Sequence, residues 1–263
     1  MKFEKFGKFL AIATLLTSTG AATIVTAHAA EGQDGAEYSS NGVVEFVPNT
    51  DPTNPVDPEE PGEGVDPTDP TDPEGPNPGT PGPLSIDFAS SLDFGVNKIS
   101  SKDETYYANA QGYSDKDKVT ANYVQVSDNR GSSAGWSLKV KQEQQFTNAD
   151  AKYSELKGAA ITINDSVAVS NSEGVEAPTT QASIVLEPGT AVSVMDAAKD
   201  AGDGTWISRF GNVEKVAVEQ EDGSTKDIDK NTSVQLDVPG STPKSAVEYR
   251  ASLTWILSEV ESN

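Results

Sequence analysis

Along residues 84–263 the apolar positions recur mainly at every second residue, which is the period of a β-strand whose alternate side chains face a core. Strands are predicted over 123–126, 136–140, 160–163, 183–186, 213–218, 234–238 and 247–257. Between them lie turn-forming clusters, among them Asp128-Asn129-Arg130-Gly131, Glu187-Pro188-Gly189 and Gly202-Asp203-Gly204. Strands at this spacing, joined by tight turns, predict an all-β fold: an antiparallel β-sandwich or barrel-like domain over 84–263. One short helix is expected over 194–200, where Met195, Ala197, Ala198 and Lys199 precede Gly202. About 180 residues suffice for a genuine hydrophobic core.

The pattern changes twice upstream. Residues 1–29 carry Lys2, Lys5 and Lys8, then a short apolar stretch interrupted by Thr17, Ser18, Thr19 and Gly20, then Ala27-His28-Ala29. This is the form of a secretory signal peptide, cleaved after Ala29 with Ala30 as the close alternative, and it falls short of the ~20 apolar residues of a membrane span. Residues 48–83 hold 12 of the 16 prolines and no basic residue. With only Val56 and Val65 as branched apolar residues, this acidic Pro-rich stretch reads as a disordered linker that extends in polyproline II to about 110 Å. The arm between them, 30–47, ends in alternating Val43-Val44-Glu45-Phe46-Val47, predicting one N-terminal strand. A strand alone is unstable, so its docking on the sheet downstream is expected.

Composition then removes whole classes of chemistry. The chain has 41 acidic and 19 basic residues, a formal charge of −22, which opposes contact with nucleic acid or anionic headgroups. It has no cysteine, and its single histidine, His28, falls in the signal peptide. Thiolate and Ser-His nucleophiles and Cys or His metal sites are therefore not expected, nor is any cofactor. Residues 31–83 contribute 13 of the acidic groups, so more than half of the mature charge is expected outside the core-forming part.

Two segments share a local pattern, Gly135-Trp136-Ser137-Leu138 and Leu253-Thr254-Trp255-Ile256-Leu257. In a strand, Trp and Leu two apart lie on one face. Both tryptophans then read as core residues, and the competing reading makes them exposed platforms for sugar rings. The two Trp-x-Leu motifs, with the flanking 83–95, 123–131 and Ala177-Pro178-Thr179-Thr180, resemble the WxL-domain surface proteins of low-GC Gram-positive bacteria. The signal peptide and acidic spacer extend the resemblance over the whole chain. It departs from the common Trp-Thr-Leu form at both sites, and Ile256 opposite Trp255 suggests a strand covered on both faces.

That resemblance implies an exported, non-catalytic protein held non-covalently on the cell wall through its C-terminal domain, with peptidoglycan as ligand and other surface proteins as further partners. Trp136, Leu138, Trp255 and Leu257 are then the motif residues for wall binding. Trp206, just after a glycine turn, is expected to be the exposed tryptophan, with Arg130 and Arg209 gripping peptide-stem carboxylates or serving as local salt bridges. Tyr106, Tyr107 and Tyr123 are further stacking candidates. No Leu-Pro-x-Thr-Gly sorting sequence is present, so attachment without a covalent anchor is expected. The alternatives are an adhesin or scaffold binding host matrix or a partner surface protein, and a glycan hydrolase using paired carboxylates ~5–9.5 Å apart. Because the wall is itself anionic, long-range charge opposes attachment. Sedimentation with purified peptidoglycan should show binding that strengthens with added salt and as pH falls toward ~4; binding that weakens steadily with salt would show a dominant cationic patch.

Overall fold

In the computed structural model, which describes residues 37–220 and 222–260, the chain forms fifteen strands and no helix among the described residues. They are β1 (Leu84–Ala89), β2 (Glu104–Asn109), β3 (Gln111–Gly112), β4 (Val119–Thr120) and β5 (Tyr123–Asp128). Next come β6 (Trp136–Gln142), β7 (Ala160–Asn164), β8 (Ser166–Val169), β9 (Thr179–Thr180) and β10 (Ser183–Leu186). The last five are β11 (Ala191–Ala197), β12 (Gly204–Phe210), β13 (Val213–Glu219), β14 (Thr225–Val238) and β15 (Leu253–Glu259). The expected signal peptide lies outside the described residues.

The strands form three main antiparallel sheets: β1-β5-β12-β8, β10-β7-β14-β13 with β2 on the far stretch of β14, and β15-β6-β11-β9. Their inward faces share one core, to which β5 sends Val124 and Val126, β12 Trp206 and Phe210, and β7 Ile161 and Ile163. Packing of several sheets on one interior, without closure into a barrel, follows from strands that are apolar on one face and must bury it.

Two element expectations are corrected. The expected helix over 194–200 is strand β11, which pairs with β6 through a bulge between Ser193 and Met195. The extra residue turns both Val194 and Met195 inward, so consecutive apolar residues mimic helical spacing. The strand expected over 247–257 narrows to β15, with Val247 exposed.

The sheet β1-β5-β12-β8 is buried on both faces; every residue of β5 is inaccessible. Its second face is covered by the acidic Pro-rich segment, which is therefore not a free linker. Val56 and Val65 pack on Phe88, Tyr113, Tyr123 and Ile207. Backbone bonds run from Thr68 N to Gly112 O at 3.0 Å, from Ser114 N to Asp66 O at 2.9 Å and from Thr80 N to Ile86 O at 2.8 Å. Gln125 accepts from Val56 N at 2.8 Å and donates to Asn54 O at 3.0 Å. The segment's own two valines would not order it, but the apolar surface supplied by the sheet does. Close approach continues at Gly79, where a Cβ would lie 2.9 Å from Asp87 O.

The chain separates at Glu45 from the unit that begins at Phe46. The strand expected over 43–47 is absent: these residues have no ladder assignment, and Val43 is 97% and Phe46 87% exposed. Unpaired backbone groups in a lone strand gain nothing over solvation by water.

Two buried carboxylates, one in the covering segment and one on β1 beneath it, carry opposite pH signs. Asp57, 2% exposed, pairs with Lys118 and accepts from Glu59 N at 2.9 Å. Burial pushes its carboxyl up, but the hydrogen bonds from Lys118 and the backbone outweigh this and hold it below the ordinary value. Its contribution to stability is thus complete above the unfolded value near ~3.9 and is lost as pH falls through the lower folded value. Asp87 is raised by burial, against hydrogen bonds from Ser127 at 2.6 Å, Ser85 at 2.7 Å and Gln125 at 2.9 Å. Folding therefore becomes easier at Asp87 as pH falls through its raised value. Lys118→Met should cost about 1–3 kcal/mol by leaving the Asp57 charge underpaired, read as a lowered melting temperature with faster amide exchange over 56–68; an unchanged exchange pattern would detach Lys118 from this role.

Candidate functional site

The two Trp-x-Leu motifs, far apart in sequence, lie side by side. Strands β6 and β15 pair antiparallel with Leu138 opposite Leu257, Trp255 opposite Val140 and Trp136 opposite Glu259. Each motif's Trp and Leu therefore point inward from one shared ladder, with the tryptophans at its two ends. Trp136 and Leu138 are inaccessible; Trp255 and Leu257 are half-buried against the same core. Trp136 Nε1 donates to Gly202 O at 3.0 Å. Gly202 has φ +75°, and a Cβ there would lie 2.5 Å from Ala197 Cβ and 2.8 Å from Trp136 Nε1, so no side chain fits beside the indole. The Trp255 ring lies nearly parallel to Phe210, 10° between planes and 6.4 Å between centroids.

Arg130 holds the open end of this ladder. Its guanidinium donates to both Asp128 carboxylate oxygens, at 2.9 and 2.7 Å, and to Gly135 O at 2.9 Å, and it pairs with Glu259 at 3.0 Å. One side chain thus joins the end of β5, the residue before Trp136, and the last residue of β15. The Asp128 hydrogen bond, opposed by burial and assisted by Glu259, pushes Arg130 above its ordinary value, so the clamp stays charged at every relevant pH.

The expected exposed contacts are placed otherwise. Arg130 is a buried clamp, its side chain 9% exposed. Trp206 is 5% exposed, because β12 begins at Gly204 and alternation directs Trp206 and Phe210 into the core; its Nε1 donates to Asp203 O at 3.0 Å. Arg209 lies opposite Tyr123 across β5 and β12, with its Nε buried and unpartnered. Tyr123 is inaccessible, beneath the Pro-rich segment.

The outward face of the motif sheet is open. Ile256, expected to be covered, is 38% exposed. Across it the pairs are Thr254 with Lys141, Ile256 with Lys139 and Ser258 with Ser137. Asp196 of β11 accepts at 2.5 Å each from Ser137 of the neighbouring β6 and from Ser193 of its own strand. At one end this face runs into a cleft of about 350 Å³ through the shared residues Asp196 and Thr179; Ala177, Ala198, Ala201 and Val260 line it with small apolar groups. Hydroxyls and an ammonium thus stand beside a cleft whose apolar lining is built from small side chains, with Glu176 and Asp196 at its margin. The polar alternates of the two motif strands were the available sequence signal for this face, and the tryptophans drew attention to its reverse side.

No group of three or more acidic, His or Cys side chains among the described residues is placed to hold a metal ion, and no helix there is long and apolar enough to cross a membrane. A family model described as WxL domain, surface cell wall-binding, matches residues 33–260. No curated protein and no solved structure matches the chain. The geometry makes Arg130 the support of the motif ladder: Arg130→Met should cost about 3–5 kcal/mol by stranding the buried Asp128 charge. Trp136→Ala should cost a similar ~3–5 kcal/mol as a core cavity. Thermal melts read both, and a wild-type melting temperature in Arg130→Met would refute the clamp.

Proposed function

From the chain's membership of the WxL family of surface cell wall-binding domains, to which it belongs by a match over nearly its whole length, we propose that it is exported and held non-covalently on peptidoglycan, without catalysis, through the outward face of the motif sheet. The observation that carries this reading is the open ladder of Thr254, Ile256, Ser258, Ser137 and Lys139, continuous with the alanine-lined cleft. Peptidoglycan offers acetamido and alanyl methyl groups for the cleft, and hydroxyls, amides and stem carboxylates for the serine, threonine and lysine side chains. In this reading Trp136, Leu138, Trp255 and Leu257 act from behind the contact face. They keep the two strands in register rather than stacking on sugar.

The charge of this face is mixed. The chain is strongly acidic, yet Lys139 and Lys141 are successive outward residues of β6, Lys141 paired with Glu143 at 2.7 Å. Local cations at the contact offset a repulsion that is long-range and screened by salt. The Pro-rich acidic segment covers β1-β5-β12-β8, a different sheet. For hydrolysis, the cleft presents two carboxylates, a solvent-exposed Glu176 and an Asp196 tied to Ser137 and Ser193, where a glycosidase pair uses a buried acid. A second reading, capture of a partner surface protein, is favoured by the position of β15 at the edge of its sheet, where an added strand can pair.

Lys139→Glu combined with Ile256→Glu should lower retention on purified peptidoglycan at least about tenfold, ~1.4 kcal/mol, with melting unchanged within ~0.5 kcal/mol. Undiminished retention would overturn the assignment of this face. Retention on intact cells but not on purified peptidoglycan would favour the protein partner.

A further inference from the structure

Away from the motif sheet, where β2 meets β14, three side chains with complementary chemistry converge. Lys230 of β14 stands directly opposite Asn109 of β2 in the antiparallel register. Directly opposed side chains share a face, with Cβ atoms ~4.5–5.5 Å apart. Asn109 Nδ2 donates to Asp93 Oδ2 at 2.7 Å, and Asn109 N donates to Asp93 O at 2.7 Å, so amide and carboxyl are locked together twice. The Asp93 loop lies over the lysine: a Cβ added at Gly95 would lie 3.3 Å from Lys230 Nζ. Gly95 N donates to Asp93 Oδ1 at 2.8 Å, which fixes the carboxyl orientation.

Lys230 is unusual among the lysines of this chain. It is 5% exposed, and its ammonium donates to the carbonyl of Tyr107 at 3.1 Å. Phe94, next to Asp93, is buried and meets Phe146 edge-on at 6.3 Å, placing apolar surface beside the loop. Desolvation lowers the Lys230 ammonium from its ordinary value, with the charge of Asp93 opposing, which favours the neutral amine that acts as a nucleophile.

We propose that Lys230, Asn109 and Asp93 are a self-modifying site that forms an isopeptide cross-link between β14 and β2. Lys230 Nζ attacks Asn109 Cγ; the new Nζ–Cγ bond forms and the Cγ–Nδ2 bond breaks. One proton leaves Nζ and one is delivered to the departing Nδ2, which exits as ammonia. As Nζ swings from Tyr107 O onto Cγ, Asp93, hydrogen-bonded to Nδ2, takes up the first proton and returns the second to Nδ2, so the carboxylate is regenerated and no oxidant, metal or nucleotide is consumed. Holding amine and amide opposite each other in a folded sheet supplies the effective concentration that the uncatalysed reaction lacks. The product is an amide link between neighbouring strands, closing a covalent loop through the second sheet and preventing β2 from shearing off β14. It needs only the fold and is independent of which wall component is bound.

Intact-mass spectrometry of the denatured full chain tests this without reference to any variant's stability. The expected mass is lower than that calculated from the sequence by one ammonia, and proteolysis should release a branched peptide joining the segments around Asn109 and Lys230. Lys230→Arg and Asp93→Ala should each return the mass to its calculated value. A wild-type chain at full calculated mass overturns the proposal. So does an ammonia loss that maps to the exposed Asn41-Gly42 pair, where succinimide formation releases the same leaving group. Persistence of the branched peptide in Asp93→Ala overturns the role given to Asp93.

Discussion

The register between β6 and β15 is the constraint on which the motif sheet rests. A slip of β15 by one residue would turn Trp255 and Leu257 outward and bring Thr254 and Ile256 against the core, while β6 stays held by β11. Three devices hold the register. Trp136 has a tailored slot against Gly202, Trp255 rests on Phe210, and Arg130 ties the open end through Asp128, Gly135 and Glu259. Buried and exposed faces of the sheet are thus two aspects of one pairing. The inward residues decide which residues stand on the outward face.

Charge is distributed with equal economy. Burying Asp57 and Asp87 is expensive unless each is satisfied, and each is: one by a lysine and backbone amides, the other by two serines and a glutamine. Acid therefore acts on the two with opposite signs: protonation weakens the Asp57–Lys118 attachment of the Pro-rich cover and relieves the burial of Asp87 in the sheet beneath it.

Much of this was legible in the sequence. Period-two patterning over 136–140, 160–163, 183–186 and 234–238 places strands where they occur, since long-range packing there agrees with local alternation. The misreadings have specific causes. At 194–200 a bulge breaks the alternation, so two adjacent inward residues look helical. The Pro-rich segment's own apolar content predicts no order, whereas its order depends on Phe88, Tyr113, Tyr123 and Ile207, residues distant in sequence. Trp206 follows a glycine turn, but the strand starts at once and parity sends the ring inward. Arg130 as a clamp was invisible, because two of its partners, Gly135 and Glu259, come together only when the last strand pairs.

That last point sets a timetable. Strand β15 follows every other described strand in the chain, and Leu257 reaches Leu138 across about 120 intervening residues. Closing such a loop costs on the order of 4 kcal/mol of chain entropy before any contact repays it. A polypeptide emerging N-terminus first can therefore form β5, β12 and their shared core while the motif ladder still lacks its second half. The outward face that includes Thr254, Ile256 and Ser258 does not exist until the rest of the domain is already present as its template. Among the described strands, the outward face of the motif sheet is therefore the last part of the fold to be completed.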